Sequence, residues 1–194
     1  MTQPIPSFES VVSNISTAIM RNDLKKVQDL YAFAHAHFDS TDEKQWNRLC
    51  TLPLDTAAMY GWVDCILYVL PLSRLDRITA STIKNLEKSV LKAAKTKNFV
   101  PIYNIDNHIP LSQTVVEQLL VLACGFKNTE AVAYFYKRCD PENVVRRLRG
   151  TKDILFLEDY HSAEKQRQNA EKQQKLIEQS IEQSTHVQRQ KSKM

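Results

Sequence analysis

The apolar residues of the chain recur at helical spacing around four alanines, Ala18, Ala57, Ala93 and Ala123. An aliphatic residue lies three positions before each alanine, and a β-branched residue lies nine positions after it. Residues three apart share one face of a helix, so the pattern predicts a helix through each alanine and a second helix shortly afterwards. A small residue at the same place in every unit also predicts the close approach of a neighbouring helix. The aliphatic residues are Ile15, Leu54, Val90 and Leu120, and the β-branched residues are Val27, Ile66, Ile102 and Val132.

A tight turn is predicted between the two helices of every unit. Four residues after the alanine stands a polar residue or a glycine, and the residue after that is Asp23, Trp62, Asn98 or Asn128. Gly and Asn favour the left-handed conformation that ends a helix, whereas Asp and Asn cap the start of the next one. Two antiparallel helices cannot bury their shared apolar side alone, so the units are predicted to stack. The predicted helix-ending residues are Asn22, Gly61, Lys97 and Lys127.

The second unit resembles the ankyrin repeat in its residues as well as in its spacing. The segment Leu52-Pro-Leu-Asp-Thr-Ala-Ala-Met-Tyr-Gly-Trp-Val-Asp64 is similar to the Thr-Pro-Leu-His-x-Ala motif of that family and to the turn that follows it. The fourth unit resembles a degenerate version of the same motif, and the resemblance covers residues 10 to 140. It implies an all-α fold, a solenoid of about four stacked helix-turn-helix repeats with a C-terminal capping helix and a polar tail.

The chain also departs from a regular ankyrin array. Its alanines are 39, 36 and 30 residues apart, whereas ankyrin repeats keep a period of about 33 residues. Leu52 and Asp55 stand where the motif has Thr and His. These differences leave open whether the units are joined by the family's β-turn fingers, by plain loops or by extra helical turns.

Composition changes at both ends of the repeat region. Residues 1–9 carry prolines and are predicted to form a lead-in, and residues 10–160 form the predicted repeat domain. Asp140 followed by Pro141 predicts a helix start, because Asp caps a helix and Pro suits its first position. The apolar residues from Ile154 to Tyr160 are predicted to close the end of the stack. Residues 161–194 are rich in Gln, Lys and Glu, which predicts a polar helical or disordered tail.

Composition and charge argue against several other classes of protein. Only three glycines occur, which argues against a glycine-rich phosphate loop and against a fold of many tight turns. The net charge of +4 is mild and the basic residues are dispersed, which argues against nucleic-acid binding. The cluster Arg146, Arg147, Arg149 and Lys152 fits a solvated helix face better than an RNA or lipid site.

The first residues lack the apolar run of a secretory peptide and no membrane-spanning stretch occurs, so a cytoplasmic location is expected.

The sequence contains no recognisable catalytic or metal-binding motif. His35 and His37 are two residues apart and would point to different sides of a helix, which argues against a metal site formed by this pair. Cys65 and Cys124 fall on the predicted packed sides and are interpreted as core thiols. We therefore expect no enzymatic activity, no cofactor, no metal and no small-molecule substrate.

The ankyrin resemblance implies a protein-interaction module. In that family the two positions before the turn project into a concave groove that contacts the partner. Methionine, aromatic residues and arginine are also the residue types enriched at interface cores, and Trp62 stands beside these positions. The predicted partner-binding residues are Met20, Arg21, Met59, Tyr60, Trp62, Lys95, Thr96 and Phe126.

Two alternatives and one further resemblance remain at the sequence level. The chain could be a helical assembly protein that oligomerises through the segment after Tyr160, or a small α-helical regulator or enzyme whose site is built from scattered Asp, His and Lys residues. Degenerate ankyrin-like repeats with a polar C-terminal tail also resemble type IV secreted effectors of intracellular bacteria. That resemblance implies export into a host cell without a cleaved N-terminal signal peptide, with the tail as the export signal; an ordinary disordered end has the same composition.

Overall fold

The chain is all-helical in a computed structural model, which describes residues 5–39 and 42–191 and contains no β-strand in those ranges. The predicted fold class is therefore confirmed as all-α. Residues 1–4 of the predicted lead-in and residues 192–194 of the predicted tail lie outside the described ranges. No described helix combines the length and the apolar composition needed to cross a lipid bilayer. The helices are α1 Phe8–Met20, α2 Leu24–His37, α3 Glu43–Tyr60, α4 Val63–Val69, α5 Ala80–Ala94, α6 Val100–His108, α7 Gln113–Gly125, α8 Thr129–Tyr136, α9 Pro141–Leu148 and α10 Ile154–Lys191.

Side-chain caps fix the start of most of these helices. An oxygen of the residue before the helix accepts a hydrogen bond from a backbone N–H of the first turn, which would otherwise lack a partner inside the helix. At α2, for example, the Asp23 carboxylate accepts from the N–H of Lys26 at 3.0 Å. The predicted start at Asp140 is confirmed, since its carboxylate accepts from the N–H of Glu142 at 3.0 Å. Equivalent caps are made by Ser7, Asp42, Thr79 and Asn128.

The first eight helices form four hairpins, each closed by one residue in the left-handed conformation. This residue lies four positions after the alanine every time, as the sequence pattern predicts. In three hairpins the alanine carbonyl accepts the N–H of the residue five positions later: Asp23 to Ala18 at 2.9 Å, Trp62 to Ala57 at 3.1 Å and Asn128 to Ala123 at 2.9 Å. This is the bond that commonly ends a helix at a left-handed residue. The φ angles are 55° at Asn22, 75° at Gly61, 66° at Lys97 and 54° at Lys127.

The third hairpin differs from the other three in its buried alanine. Ala18, Ala57 and Ala123 are buried, but Ala93 is only half-buried. Its neighbour Ala94 is fully buried instead. The reason is the spacing along α5, where Leu86, Val90 and Ala94 follow one another at intervals of four and make one continuous buried stripe.

Successive hairpins lie side by side. We call α1, α3, α5 and α7 the first helices, and α2, α4, α6 and α8 the second helices. Each first helix packs against the next one, and α2 packs against α4 and α4 against α6. Aromatic rings connect α6 to α8, with the ring centroids of Tyr103 and Tyr134 4.4 Å apart. The apolar core lies between these two layers of helices.

One buried hydrogen bond replaces a helical bond that the sequence removes. Pro53 lies inside α3 and has no N–H, so it cannot bond to the carbonyl of Leu49 four residues earlier. The hydroxyl of Tyr31, a fully buried residue of α2, donates to that carbonyl at 2.8 Å. The tyrosine therefore satisfies the polar group that the proline leaves open, and it ties the first hairpin to the second.

The chain divides into two compact units between Cys139 and Asp140. The first unit contains the four hairpins, and the second contains α9 and α10. Within the second unit the ammonium of Lys165 lies 3.2 Å from the carboxylate of Glu142. The predicted boundary between residues 160 and 161 lies inside α10, and the predicted tail is helical as far as Lys191.

The role of Tyr31 can be tested by a double-mutant cycle with Pro53. Tyr31→Phe should lower the free energy of unfolding by about 1–3 kcal/mol, because it leaves the buried Leu49 carbonyl without a donor. In a Pro53→Ala background the new N–H of residue 53 can serve that carbonyl, so Tyr31→Phe should cost less. Urea unfolding measures both values, with Tyr60→Phe on the exposed end of α3 as the control. Equal costs in the two backgrounds would contradict the compensation.

The left-handed turns give a second prediction. Lys97→Gly should raise the free energy of unfolding by about 1 kcal/mol, since glycine adopts positive φ without the steric cost that a side chain has there. Lys95→Gly, two residues earlier at φ −65°, is the matched control and should be destabilising. Thermal and urea unfolding measure both changes. If the two substitutions have the same sign, the turn conformation does not govern stability at Lys97.

Candidate partner-binding surface

The first helices present one continuous unburied face. Counting from the alanine, the positions five, two and one before it and two after it are exposed or half-exposed in all four first helices. These positions lie on one side of a helix, opposite the buried stripe. We call these sixteen residues the first-helix face. They are Ser13, Ser16, Thr17 and Met20 in α1; Leu52, Asp55, Thr56 and Met59 in α3; Lys88, Leu91, Lys92 and Lys95 at α5; and Gln118, Val121, Leu122 and Gly125 in α7.

The structure brings all eight predicted partner-binding residues to the turn end of this face. Each lies in the last residues of a first helix or in the turn that follows it. Met59 is 62% exposed, Met20 44% and Tyr60 41%. Arg21, Lys95 and Thr96 are exposed, whereas Trp62 and Phe126 are half-buried.

The two half-buried aromatic residues are covered by lysines. The ammonium of Lys92 lies 5.9 Å from the centroid of the Trp62 ring, and the ammonium of Lys97 lies 5.4 Å from that of Phe126. Both distances suit a cation–π contact. Trp62 also lines a cavity of about 300 Å³ between the second and third turns, together with Gly61 and Thr96. The Trp62 side chain therefore packs within the turn region and does not project freely into solvent.

An apolar groove on the first-helix face was missed by the sequence reasoning. It lies between α5 and α7, has a volume of about 350 Å³ and is lined by Leu91, Lys95, Gln118, Val121 and Leu122. Leu52 on the neighbouring helix α3 is a further apolar residue of the first-helix face and is 45% exposed. Leu52 lies seven positions before Met59, and Leu91 lies four positions before Lys95. This spacing could have predicted that Leu52 and Leu91 share a helix face with the predicted partner-binding residues. Met59 and Lys95 therefore lie on helix faces whose other exposed residues are found nearer the starts of α3 and α5.

The buried thiols of Cys50 and Cys65 are poorly suited to nucleophilic chemistry. Cys50, Cys65 and Cys124 are buried, which confirms the interpretation of Cys65 and Cys124 as core residues. Burial raises the pKa of the Cys50 thiol to about 11. Burial, followed by the carboxylates of Asp64 and Asp23, also raises the pKa of Cys65. Both groups therefore hold less thiolate at neutral pH than a free cysteine does.

The remaining candidate residues are distributed over separate places. The His35 ring lies against Trp46 with centroids 4.4 Å apart, and the His37 ring stacks on Phe33 at 4.1 Å. In the second unit Arg146 and Arg149 line a cavity of about 230 Å³ with Glu142 and His161. The side chain of Arg147, from the same predicted basic cluster, lies outside what the structure describes.

Comparisons of the chain with protein-family models, with curated protein sequences and with solved structures found no match.

Proposed function

We propose that the chain is a solenoid of ankyrin-like repeats that binds a partner protein, without carrying out a reaction, through the first-helix face and the adjoining turns. The proposal rests on one observation, the concentration of exposed apolar side chains at this place. Met20, Leu52, Met59 and Tyr60 are all more than two-fifths exposed. Large exposed apolar clusters on a folded unit mark interaction sites, because water contact with them is unfavourable.

The ankyrin resemblance supports the same surface from an independent direction. It assigns partner contact to the two positions just before each turn, and the exposed methionines occupy two of those eight positions. A layer of packed helices holds them on a rigid support, so that little conformational entropy is lost on binding. Side chains of this type, seated centrally, contribute most of the affinity in protein complexes.

Loss of two exposed side chains provides the test. Met59→Ala/Tyr60→Ala should reduce the capture of partner proteins, with affinity falling by about tenfold or more if these residues lie at the interface centre. Quantitative mass spectrometry of pull-downs compares the variant with the native chain. Because both residues are exposed, the fold should be retained, which circular dichroism checks.

Two equally exposed apolar residues away from the surface supply the control. Leu75 and Val100 are 56% and 60% exposed and lie outside the first helices. Leu75→Ala/Val100→Ala should leave partner capture unchanged. If the folded Met59→Ala/Tyr60→Ala variant retains every partner at the native level, the proposed surface is wrong.

A second candidate function, self-association through α10, is favoured by a separate observation. Leu176, Ile177 and Ile181 are 65%, 58% and 59% exposed on this helix. Ile177 and Ile181 are four residues apart and share a face. A second copy of the helix could cover these side chains.

Light scattering of the full chain tests this candidate. Self-association predicts a mass above that of one chain, returning to one chain in Leu176→Gln/Ile177→Gln/Ile181→Gln, which keeps the helix propensity of the segment. Met59→Ala/Tyr60→Ala serves as the control that should leave the mass unchanged. A native chain that remains monomeric over the whole concentration range would remove this candidate.

A further inference from the structure

The α5–α7 groove is lined by one charged residue, and that residue is basic. Lys95 lines the groove directly, and Lys84 and Lys88 precede it along α5. Lys84, Lys88 and Lys95 are seven, three and four residues from Leu91, so they lie on the same side of the helix as Leu91. Their ammonium groups are exposed and make no ion pair within the described part of the chain.

The carboxylates of the neighbouring first helices are already engaged or buried. Glu43 pairs with Arg74, and Asp55 accepts a hydrogen bond from the Thr82 hydroxyl at 3.0 Å. Glu87 accepts from the backbone N–H of Ser112 at 2.9 Å. Glu117 is only 8% exposed. Within the described part of the chain, none of these four carboxylates forms an ion pair with Lys84, Lys88 or Lys95.

From this arrangement we infer that the α5–α7 groove binds an acidic amphipathic segment of the partner protein. An aliphatic or aromatic side chain of that segment enters between Leu91 and Val121. Its carboxylates lie along Lys84, Lys88 and Lys95, where charge complementarity fixes orientation and excludes basic competitors. The inference rests on the proposed function and specifies the chemistry of the partner.

The lining of the groove favours a peptide over a nucleic acid. Single-stranded nucleic acids bind to aromatic platforms beside basic residues, with arginine adding stacking. The five residues that line the groove include no aromatic residue and no arginine. Leu91, Val121 and Leu122 instead offer the aliphatic surface that an amphipathic helix or strand buries.

The test begins with the selection of short random peptides, displayed on phage, against the full chain. The selected peptides should be enriched in Asp and Glu together with Leu, Ile or Phe. Fluorescence anisotropy then measures the affinity of the best synthetic peptides for each variant. Lys88→Glu/Lys95→Glu should weaken binding by about tenfold or more, because each contact with a carboxylate becomes repulsive. Higher salt should also weaken binding to the native chain.

A matched charge change elsewhere separates the groove from net charge. Lys25→Glu/Lys44→Glu alters the total charge equally, at exposed positions in the first turns of α2 and α3. It should leave peptide affinity within about twofold, because neither residue lines the groove and exposed charges are screened by salt. Leu91→Ala/Val121→Ala, which keeps every charge, should weaken binding through lost apolar contact.

Several outcomes would overturn the inference. They are the absence of any selected peptide, a selected pool with no acidic excess, and equal affinity for the native and Lys88→Glu/Lys95→Glu chains. Tighter binding of a single-stranded RNA oligonucleotide or of phosphatidylserine vesicles, lost on the same charge reversal, would assign the lysines to those ligands instead. Peptides that lose binding only with Met59→Ala/Tyr60→Ala would overturn the groove and leave the proposed function standing. Groove-dependent peptide binding with unchanged partner capture by that variant would leave the groove standing and remove Met59 and Tyr60 from the proposed surface.

Discussion

The first unit depends on a single backbone constraint that occurs four times. Each first helix stops at a residue in the left-handed conformation, and the chain reverses there into the second helix. This residue lies four positions after the alanine in every hairpin, and the unburied positions counted back from it are the same in all four first helices. The carbonyl of the alanine itself accepts the closing bond in three hairpins. In those three hairpins the residue with the small side chain therefore also closes the turn through its backbone carbonyl.

The candidate surface follows from that repetition. Equivalent positions of successive first helices are unburied, so an exposed methionine in α1 has its counterpart in α3, and lysines take the equivalent places at α5. The surface therefore changes from polar side chains beside the exposed methionines at α1 and α3 to mixed basic and apolar side chains at α5 and α7. Such a change allows one scaffold to recognise both a side chain and a charge pattern, since packing supplies affinity and electrostatics supply selectivity.

Contacts between hairpins rely on polar groups as well as on apolar packing. Tyr31 serves the carbonyl that Pro53 leaves open, and the Ser89 hydroxyl donates to the Ala58 carbonyl at 2.8 Å. Asp106, buried in α6, accepts from the Tyr134 hydroxyl at 2.9 Å and pairs with Arg138. Each of these bonds joins one hairpin to the next. A buried polar group without such a partner would be destabilising, so these bonds favour one register of the stack over others.

The sequence by itself determined the local elements: four helix pairs, their turn residues, and the cap at Asp140, all of which depend on backbone preferences of a few neighbouring residues. It also singled out Met20, Met59 and Tyr60 through the resemblance to ankyrin repeats, and these side chains are exposed. Only the tertiary structure decided that Ala94 rather than Ala93 is buried, that Trp62 is covered by Lys92, and that Leu91 and Val121 face a common groove. Those outcomes depend on which helices lie beside one another, and residues far apart in the chain carry no local signal of their distance in space.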